Sequence, residues 1–402
     1  MTSTMSPAAQ KPLLARALAS DQYVGVKLLE RLNRVPWFKT AAGPSSTRIT
    51  IEGREFLNFA SNNYLDLAND PRVVAAVHRA VDEWGAGITG SRLLNGSMTL
   101  HTELEQELAD FYGKPAALVF PTGYTANLGL LSSLIGPGDV VAADKLIHAS
   151  CLDGLRMSRA RTRTFAHNDP ADLERLLKAD RAPQMCVIEG VYSMHGDMAP
   201  VDEIADLCTR YGTMLVVDEA HAVGTVGPTG AGAAEHYGRL DTVDAITVTF
   251  SKSLGGCGGA VVGSRELIDC LRYLARPFIY TASNTPGSLA GALEALRILR
   301  ANPQYVAESR AKAAEFGRLL QDNGVRRNHA QAPVLTVHVG TDVAAVQAWR
   351  MLWNRGVYCN AVISPAVPLG EAGVRMSVLR THDVDDLATA AKVVRQVMEE
   401  LG

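Results

Sequence analysis

From Asn58 onward the chain alternates short apolar runs with amphipathic stretches. The runs AALVF (116–120), VVAAD (140–144), MCVIEG (185–190), MLVVDEA (214–220) and AITVTF (245–250) are separated by segments of helical spacing such as DEIADLCTRYG (202–212). This alternation predicts βαβ units and so an α/β fold with a large, mostly parallel, buried central sheet. Ahead of it, residues 1 to 45 read as a helical arm, VGVKLLERLNRV (24–35), followed by the looser TAAGPSSTR (40–48). Beyond Thr281-Ala282-Ser283 comes a long helical stretch over 289–324, then VLTVHVG (334–340) and VRMSVL (374–379) as strands with a helix between them. The expected division is an N-terminal arm and lead-in over 1–57, a large domain over 58–290 and a smaller C-terminal α+β domain over 291–402.

Composition narrows the chemistry. A chain of 402 residues fits two to three units at about 150 residues each. Its 39 basic and 42 acidic side chains leave a net charge of −3, too weak a field for a nucleic-acid or membrane-surface partner, so small-molecule chemistry is expected. The six cysteines form no CxxC pair, which argues against a disulfide framework or a zinc knuckle and fits a reducing cytoplasm. The first twenty residues lack the apolar block of a signal peptide, and no stretch reaches the roughly 18 apolar residues of a membrane span.

In open α/β sheets reactive groups gather at the carboxyl ends of the strands. Four such ends are loaded here: Asp218 with His221 three residues on, Thr249-Phe250-Ser251-Lys252 before glycines, His148, and Thr122-Gly123-Tyr124. The box Asp218-Glu219-Ala220-His221 also occurs in nucleotide-hydrolysing helicases, but those need a GxxxxGK[ST] loop. The one Gly-Lys pair here, Gly113-Lys114, is followed by Pro115 and has Leu108 where the first glycine belongs. Lys252 is one of nine lysines, and a lysine in a dry pocket becomes a free amine able to form a Schiff base with a carbonyl. Pyridoxal phosphate uses such an amine; its ring nitrogen wants a carboxylate, which Asp218 supplies, and its phosphate wants a helix N-terminus, which Thr122-Gly123-Tyr124 supplies. The flat imidazole of His148 suits stacking on the ring, and His221 suits a hydrogen bond to its phenolic oxygen.

Those residues lie within longer runs: SNNYLDL (61–67), GAGITGSRLLNGSMTLHTELEQELADFYG (85–113), PTGYTANLG (121–129), HND (167–169), EGVYSMHGD (189–197), VVDEAHAVGTVGPTGAG (216–232), TFSKSLGGCGG (249–259), RPFIYTAS (276–283), and PAVP (365–368) followed by VRMSVLRTHD (374–383). In order and spacing, over residues 45 to 400, the chain resembles the α-oxoamine synthases, pyridoxal-phosphate enzymes of aminotransferase fold type I. It is most similar in flavour to the bacterial serine palmitoyltransferase branch, with the 8-amino-7-oxononanoate synthases next.

The resemblance implies a decarboxylative Claisen condensation, in which serine, glycine or alanine joins an acyl thioester carried on coenzyme A or a carrier protein, losing CO2 and the thiol. By motif it makes Lys252 the Schiff-base lysine and proton shuttle, Asp218 the ring-nitrogen partner and His148 the stacking residue. His221 and Ser193 fall near the phenolic oxygen; Thr249, Gly123 and Tyr124 become phosphate ligands. It has Thr281 reach the phosphate in the neighbouring subunit of a homodimer, and Arg375, helped by Asn62 or Asn63, grip the substrate carboxylate. Serine is the favoured amino acid. The chain departs from the family pattern at His195, where SMDGD is common, at Asp66, where glycine is usual, and at Arg380 and Asp383. A non-catalytic partner subunit would lack Lys252, and an ordinary aminotransferase would not need the GSRLLNG run.

Overall fold

The computed structural model describes residues 12–31 and 35–402. At its centre stands a seven-stranded sheet in the spatial order Ala116–Phe120, Gly259–Gly263, Ala245–Thr249, Met214–Asp218, Met185–Glu189, Val140–Asp144, Arg161–Phe165. Gly259–Gly263 runs antiparallel to both its neighbours; the other pairings are parallel. All five apolar runs of the sequence are strands of this sheet. Two further strands complete it, the antiparallel GAVVG and the edge strand RTRTF.

Alternate residues of each inner strand feed opposite faces. Cys186, Ile188, Leu215, Val217, Ile246 and Val248 enter one core, whereas Met185, Val187, Val216 and Ala245 enter another. Helices cover both faces, so apart from the half-buried Met214 the positions on the inner strands are shut off from water, and the polar half of the usual strand alternation is missing. Val140, Val141, Ala142, Ala143 and Asp144 are all buried, as are all five residues of Met185–Glu189 and of Ala245–Thr249.

A third core is built from segments far apart in the chain. Ile49, Ile51, Phe56 and Phe59 pack with Trp349, Trp353, Val374 and Met376. The antiparallel pair Arg48–Ile51 and Arg54–Asn58 receives Val357–Tyr358 as a parallel neighbour, and a separate antiparallel sheet joins Val334–Gly340, Ala372–Ser377 and Asn360–Val362. Conversely, helix Pro286–Ala301 lies against helices Pro71–Trp84 and Thr99–Tyr112, and its Leu289, Leu293 and Leu296 belong to the large sheet's core. The cores therefore cut across chain order at both ends. Of the expected N-terminal arm, two helices are described, Pro12–Leu18 and Asp21–Arg31; residues 1–11 and 32–34, part of that arm and of the N-terminal stretch read as lacking a signal peptide, lie outside the described residues. Among the described residues no helix is long and apolar enough to cross a membrane.

Candidate active site

Asp144, Glu189, Asp218 and Thr249 end four neighbouring strands on the same side of the sheet, and two helix N-termini open beside them. Helix Gly123–Leu134 begins at Thr122, whose hydroxyl accepts the Thr125 N–H at 3.0 Å. Gly123 sits so close to Thr249 that a Cβ on it would lie 2.8 Å from the Thr249 Cβ, and a Cβ on Gly259 would lie 2.5 Å from the Gly123 Cα. Glycine at both positions lets the helix N-terminus descend onto the strand end. The first-turn N–H groups have no partner within the helix and are anion donors by geometry. The Tyr124 side chain takes no part in that cradle: it is exposed, and its phenol donates to the Asp153 carboxylate.

The second helix, Ala149–Ser158, begins at His148, whose Nδ1 accepts the Ser150 N–H at 3.2 Å and shares a 2.7 Å hydrogen bond with the Ser150 hydroxyl. Tied at one nitrogen, the ring stays open to the cleft. The Asn127 amide donates to Ser150 Oγ at 2.9 Å and to Asp218 Oδ2 at 2.7 Å, so a continuous chain of hydrogen bonds runs from Asp218 to His148. Asp218 Oδ1 accepts the Ala220 N–H at 3.0 Å. Sequence reading missed Asn127 and Ser150; the run TANLG contained the first without marking it.

Glu189 pairs in register with Asp218 on the adjacent strand and is buried. Burial, and then the Asp218 charge, push its carboxyl well above the ordinary range. Lys252 lies half-buried beyond the next strand. Desolvation lowers its ammonium to about 8 against the opposing pull of Asp218 and Glu189. His221 is buried, and burial followed by the charges of Lys252, Arg375 and His148 holds it well below the usual imidazole value, so the ring is neutral.

From the small-sheet side, strand Ala372–Ser377 delivers Arg375, 5 % exposed. Its Nε donates to the Ser193 carbonyl at 2.7 Å, Nη1 to Asn62 Oδ1 and Ser377 Oγ at 3.0 Å each, and Nη2 to the Tyr64 hydroxyl at 3.2 Å. The Tyr64 hydroxyl is in turn 2.8 Å from His221 Nδ1. Tyr64 went unmarked in the sequence, although it stands inside SNNYLDL.

Three expectations are sharpened or corrected. Of the two asparagines, Asn62 joins Arg375, whereas Asn63 turns away: its amide donates to Asp66 at 3.0 Å and to the Ser45 carbonyl, and its Oδ1 accepts the Ala68 N–H. Asn63 is thus spent on holding its own loop and is withdrawn as a substrate contact. Ser193 meets Arg375 through its backbone carbonyl, with a half-buried side chain. Thr281 is half-buried in a segment held by the bridge from Ala282 to Ser91 and by the Ser283 N–H on the Gly90 carbonyl.

The departures from the family pattern also have places. Asp66 has φ +57°, the left-handed region that explains a glycine preference there, and its carboxylate accepts from Ser46 and Thr381 at 2.6 Å each. Arg380 stacks 3.8 Å over the Tyr305 ring and pairs with Glu308 at 2.9 Å. His195 Nε2 lies 4.0 Å from Glu371. Asp383 precedes helix Val384–Leu401 without a side-chain cap.

The residues present fit the implied cofactor: an amine of lowered basicity, a buried carboxylate beside it, and a helix N-terminus closed down by Gly123 and Gly259. Comparison with known proteins agrees. The aminotransferase class I and II family model matches residues 54–394. The chain is 37 % identical over 361 residues to the 8-amino-7-oxononanoate synthase of Thermoanaerobacter pseudethanolicus, covering 89 % of this chain and 91 % of that one. It is 40 % identical over 361 residues to the serine palmitoyltransferase of Caulobacter vibrioides, covering 89 % of each. Among solved structures, serine palmitoyltransferase with pyridoxal phosphate superposes with a TM-score of 0.93 at 33 % identity, over 98 % of this chain and 100 % of that one.

Proposed function

This chain belongs to the aminotransferase class I and II family and is a pyridoxal-phosphate enzyme of the α-oxoamine synthase type, and within that type we propose that it joins serine to a fatty acyl thioester. One C–C bond forms, between the amino acid's α-carbon and the acyl carbonyl; the thioester C–S bond and the bond to the α-carboxylate break. The products are an α-amino ketone, CO2 and a free thiol. The observation that supports the reading is the junction at Tyr64 and Asn62, through which Arg375, the proposed carboxylate site, shares one hydrogen-bonded assembly with His221.

When bound, pyridoxal phosphate supplies an electron sink for the negative charge that develops on the α-carbon. The chain's own groups would do the rest. Thr122, the N–H groups of Gly123 and Tyr124, and Thr249 would hold the phosphate. Asp218, fixed by Asn127 and the Ala220 N–H, would keep the ring nitrogen protonated. His148 would cover the ring face, and His221 and Ser193 would address its phenolic oxygen. Lys252, poised near neutrality, would take the α-proton and return it. Arg375 with Asn62 would bind the amino acid's carboxylate through a planar two-donor fork.

A second reading, an 8-amino-7-oxononanoate synthase type of reaction with alanine as the amino acid, is favoured by relatives of that name at comparable identity. Glycine and a carrier-protein thioester remain substrates to test beside serine and coenzyme A. We further propose a cytoplasmic homodimer in which Thr281 serves the neighbouring subunit's phosphate; the unpaired state of all six cysteines supports that compartment. The deciding experiment is the visible spectrum of the cofactor-loaded protein titrated separately with serine, alanine and glycine. A saturable response to serine alone supports the main reading; a response to alanine alone selects the second. A protein that takes up no cofactor overturns both. Sedimentation reads the dimer.

A further inference from the structure

Tyr64 lies between the two halves of the site, and its hydroxyl has three polar neighbours: Arg375 Nη2 at 3.2 Å, Asn62 Oδ1 at 3.2 Å and His221 Nδ1 at 2.8 Å. We propose that Tyr64 is a positioning residue which couples occupation of the Arg375 carboxylate site to the tautomer of His221. The inference rests on the reading of Arg375 as the carboxylate site.

A guanidinium donates and never accepts, so the Tyr64 oxygen accepts from Arg375 and its single proton has two competing acceptors, Asn62 Oδ1 and His221 Nδ1. Tyr64 is fully buried, and burial pushes its phenol up despite the Arg375 charge, so that proton stays on the chain. If the phenol donates to His221 Nδ1, the imidazole hydrogen sits on Nε2, which is then a donor. If it donates to Asn62, His221 Nδ1 must carry the hydrogen and donate to the phenol, and Nε2 becomes an acceptor. The tautomer of His221 therefore follows the direction in which Tyr64 points.

Arg375 sets that direction. It has five N–H groups, and four meet the Ser193 carbonyl, Asn62, Ser377 and Tyr64. One Nη2 hydrogen is left among the described contacts. A carboxylate bound by two parallel hydrogen bonds takes that one and displaces another, and the Nη contacts open to displacement include those to Asn62 and Tyr64. Loss of the contact to Asn62 leaves its Oδ1 short of a donor; two hydroxyls are in reach, and Tyr64 at 3.2 Å is nearer than Ser377 Oγ at 3.5 Å. Arrival of a carboxylate thus draws the phenol proton toward Asn62 and moves the imidazole hydrogen to Nδ1.

The charges that face His221 are Lys252, Arg375 and His148, and all three groups are retained when Tyr64 is replaced. Tyr64→Phe removes the relay and leaves the arginine. The test uses propionate, a carboxylate without an amine, added to the cofactor-loaded protein while the pH midpoint of its visible band is followed. In the unmodified protein propionate should move that midpoint by about half a pH unit or more, the scale of one rearranged hydrogen bond. In Tyr64→Phe propionate should still bind saturably with the shift abolished. An unshifted midpoint in the unmodified protein, or an equal shift in the variant, overturns the proposal. Should Tyr64→Phe fail to fold or to load, nitrogen NMR of histidine-labelled, unmodified protein without cofactor decides. There the His221 resonances should exchange their Nδ1 and Nε2 character on adding propionate, and unchanged resonances overturn the relay. A protein that never develops a visible band but shows the exchange refutes the cofactor reading and leaves the relay standing.

Discussion

Arg375 and Asn62 meet at 3.0 Å although 313 positions separate them, and the contact joins the C-terminal antiparallel sheet to the loop between strand Arg54–Asn58 and helix Pro71–Trp84. Asn63, the next residue, shares none of it and holds its own loop through Asp66 and Ser45. The two asparagines should therefore fail differently. Arg375→Ala should weaken amino-acid binding roughly ten- to hundredfold, the worth of a charged hydrogen-bonded pair. Asn62→Ala should weaken it less, with an unchanged melting temperature. Asn63→Ala should instead lower the melting temperature with little change in amino-acid affinity. Spectral titration and a thermal melt on each variant check this, and an Asn63 variant with lost affinity at full stability would restore it as a contact.

Lys252, lowered to about 8 by burial, should make the cofactor-free chain a pH-tuned trap for an aldehyde. The reactive species is the free amine, so the rate of pyridoxal phosphate capture should rise with pH, reach half its plateau near pH 8 and flatten above. Lys252→Ala should show no covalent capture and no condensation. Stopped-flow absorbance across pH 6.5 to 10 checks both, and a midpoint at the ordinary lysine value would mean that the pocket does not desolvate this amine.

Asp218 is fixed from Asn127 at 2.7 Å and from the Ala220 N–H at 3.0 Å, so its carboxylate is oriented before any cofactor arrives. Asp218→Asn keeps the shape and removes the charge. It should retain cofactor binding and lose turnover by about a hundredfold or more, as expected for a charge that acts on the transition state. Asn127→Ala, which leaves the charge and loosens its position, should cost about tenfold. Turnover in Asp218→Asn within a few-fold of the unmodified protein would move the ring-nitrogen contact elsewhere.

Legibility in the sequence followed burial. The five runs read as strands lie where helices cover both sheet faces, which leaves an uninterrupted apolar signature. RTRTF, at the sheet edge with four of its five residues outside the core, has no such signature, and GAVVG is masked by its glycines. Lys252, Asp218, His148 and His221 could be found because strand ends are where polar residues interrupt apolar runs. Asn127, Ser150 and Tyr64 could not, since each sits within a helix turn or a loop whose facing is fixed by tertiary contacts. Helix 286–301 was readable as a helix; that it serves the large core while residues 48–59 serve the distant one depends on pairings across some 300 positions, such as Leu57 with Val357, to which local spacing is blind.

His167 offers the clearest pH dependence outside the catalytic groups. Its Nδ1 lies 3.0 Å from Asp144 Oδ1 and its Nε2 lies 2.7 Å from Asp197 Oδ2, so both nitrogens face carboxylates and both must donate. Burial alone would lower this imidazole, but the hydrogen bonds and charges of the two aspartates outweigh it and raise the group to about 9. Because the folded value exceeds the ordinary 6.5, the stabilisation is fully present below about pH 6.5 and is lost as pH rises through 9. Asp197 closes the turn that also carries Ser193, whose carbonyl holds Arg375, so the clamp braces the substrate side of the site. His167→Gln should melt well below the unmodified protein at pH 6.5, and the gap should narrow steadily toward pH 9. A gap of constant width across that window would show that His167 contributes by packing against Tyr192, not by its charge.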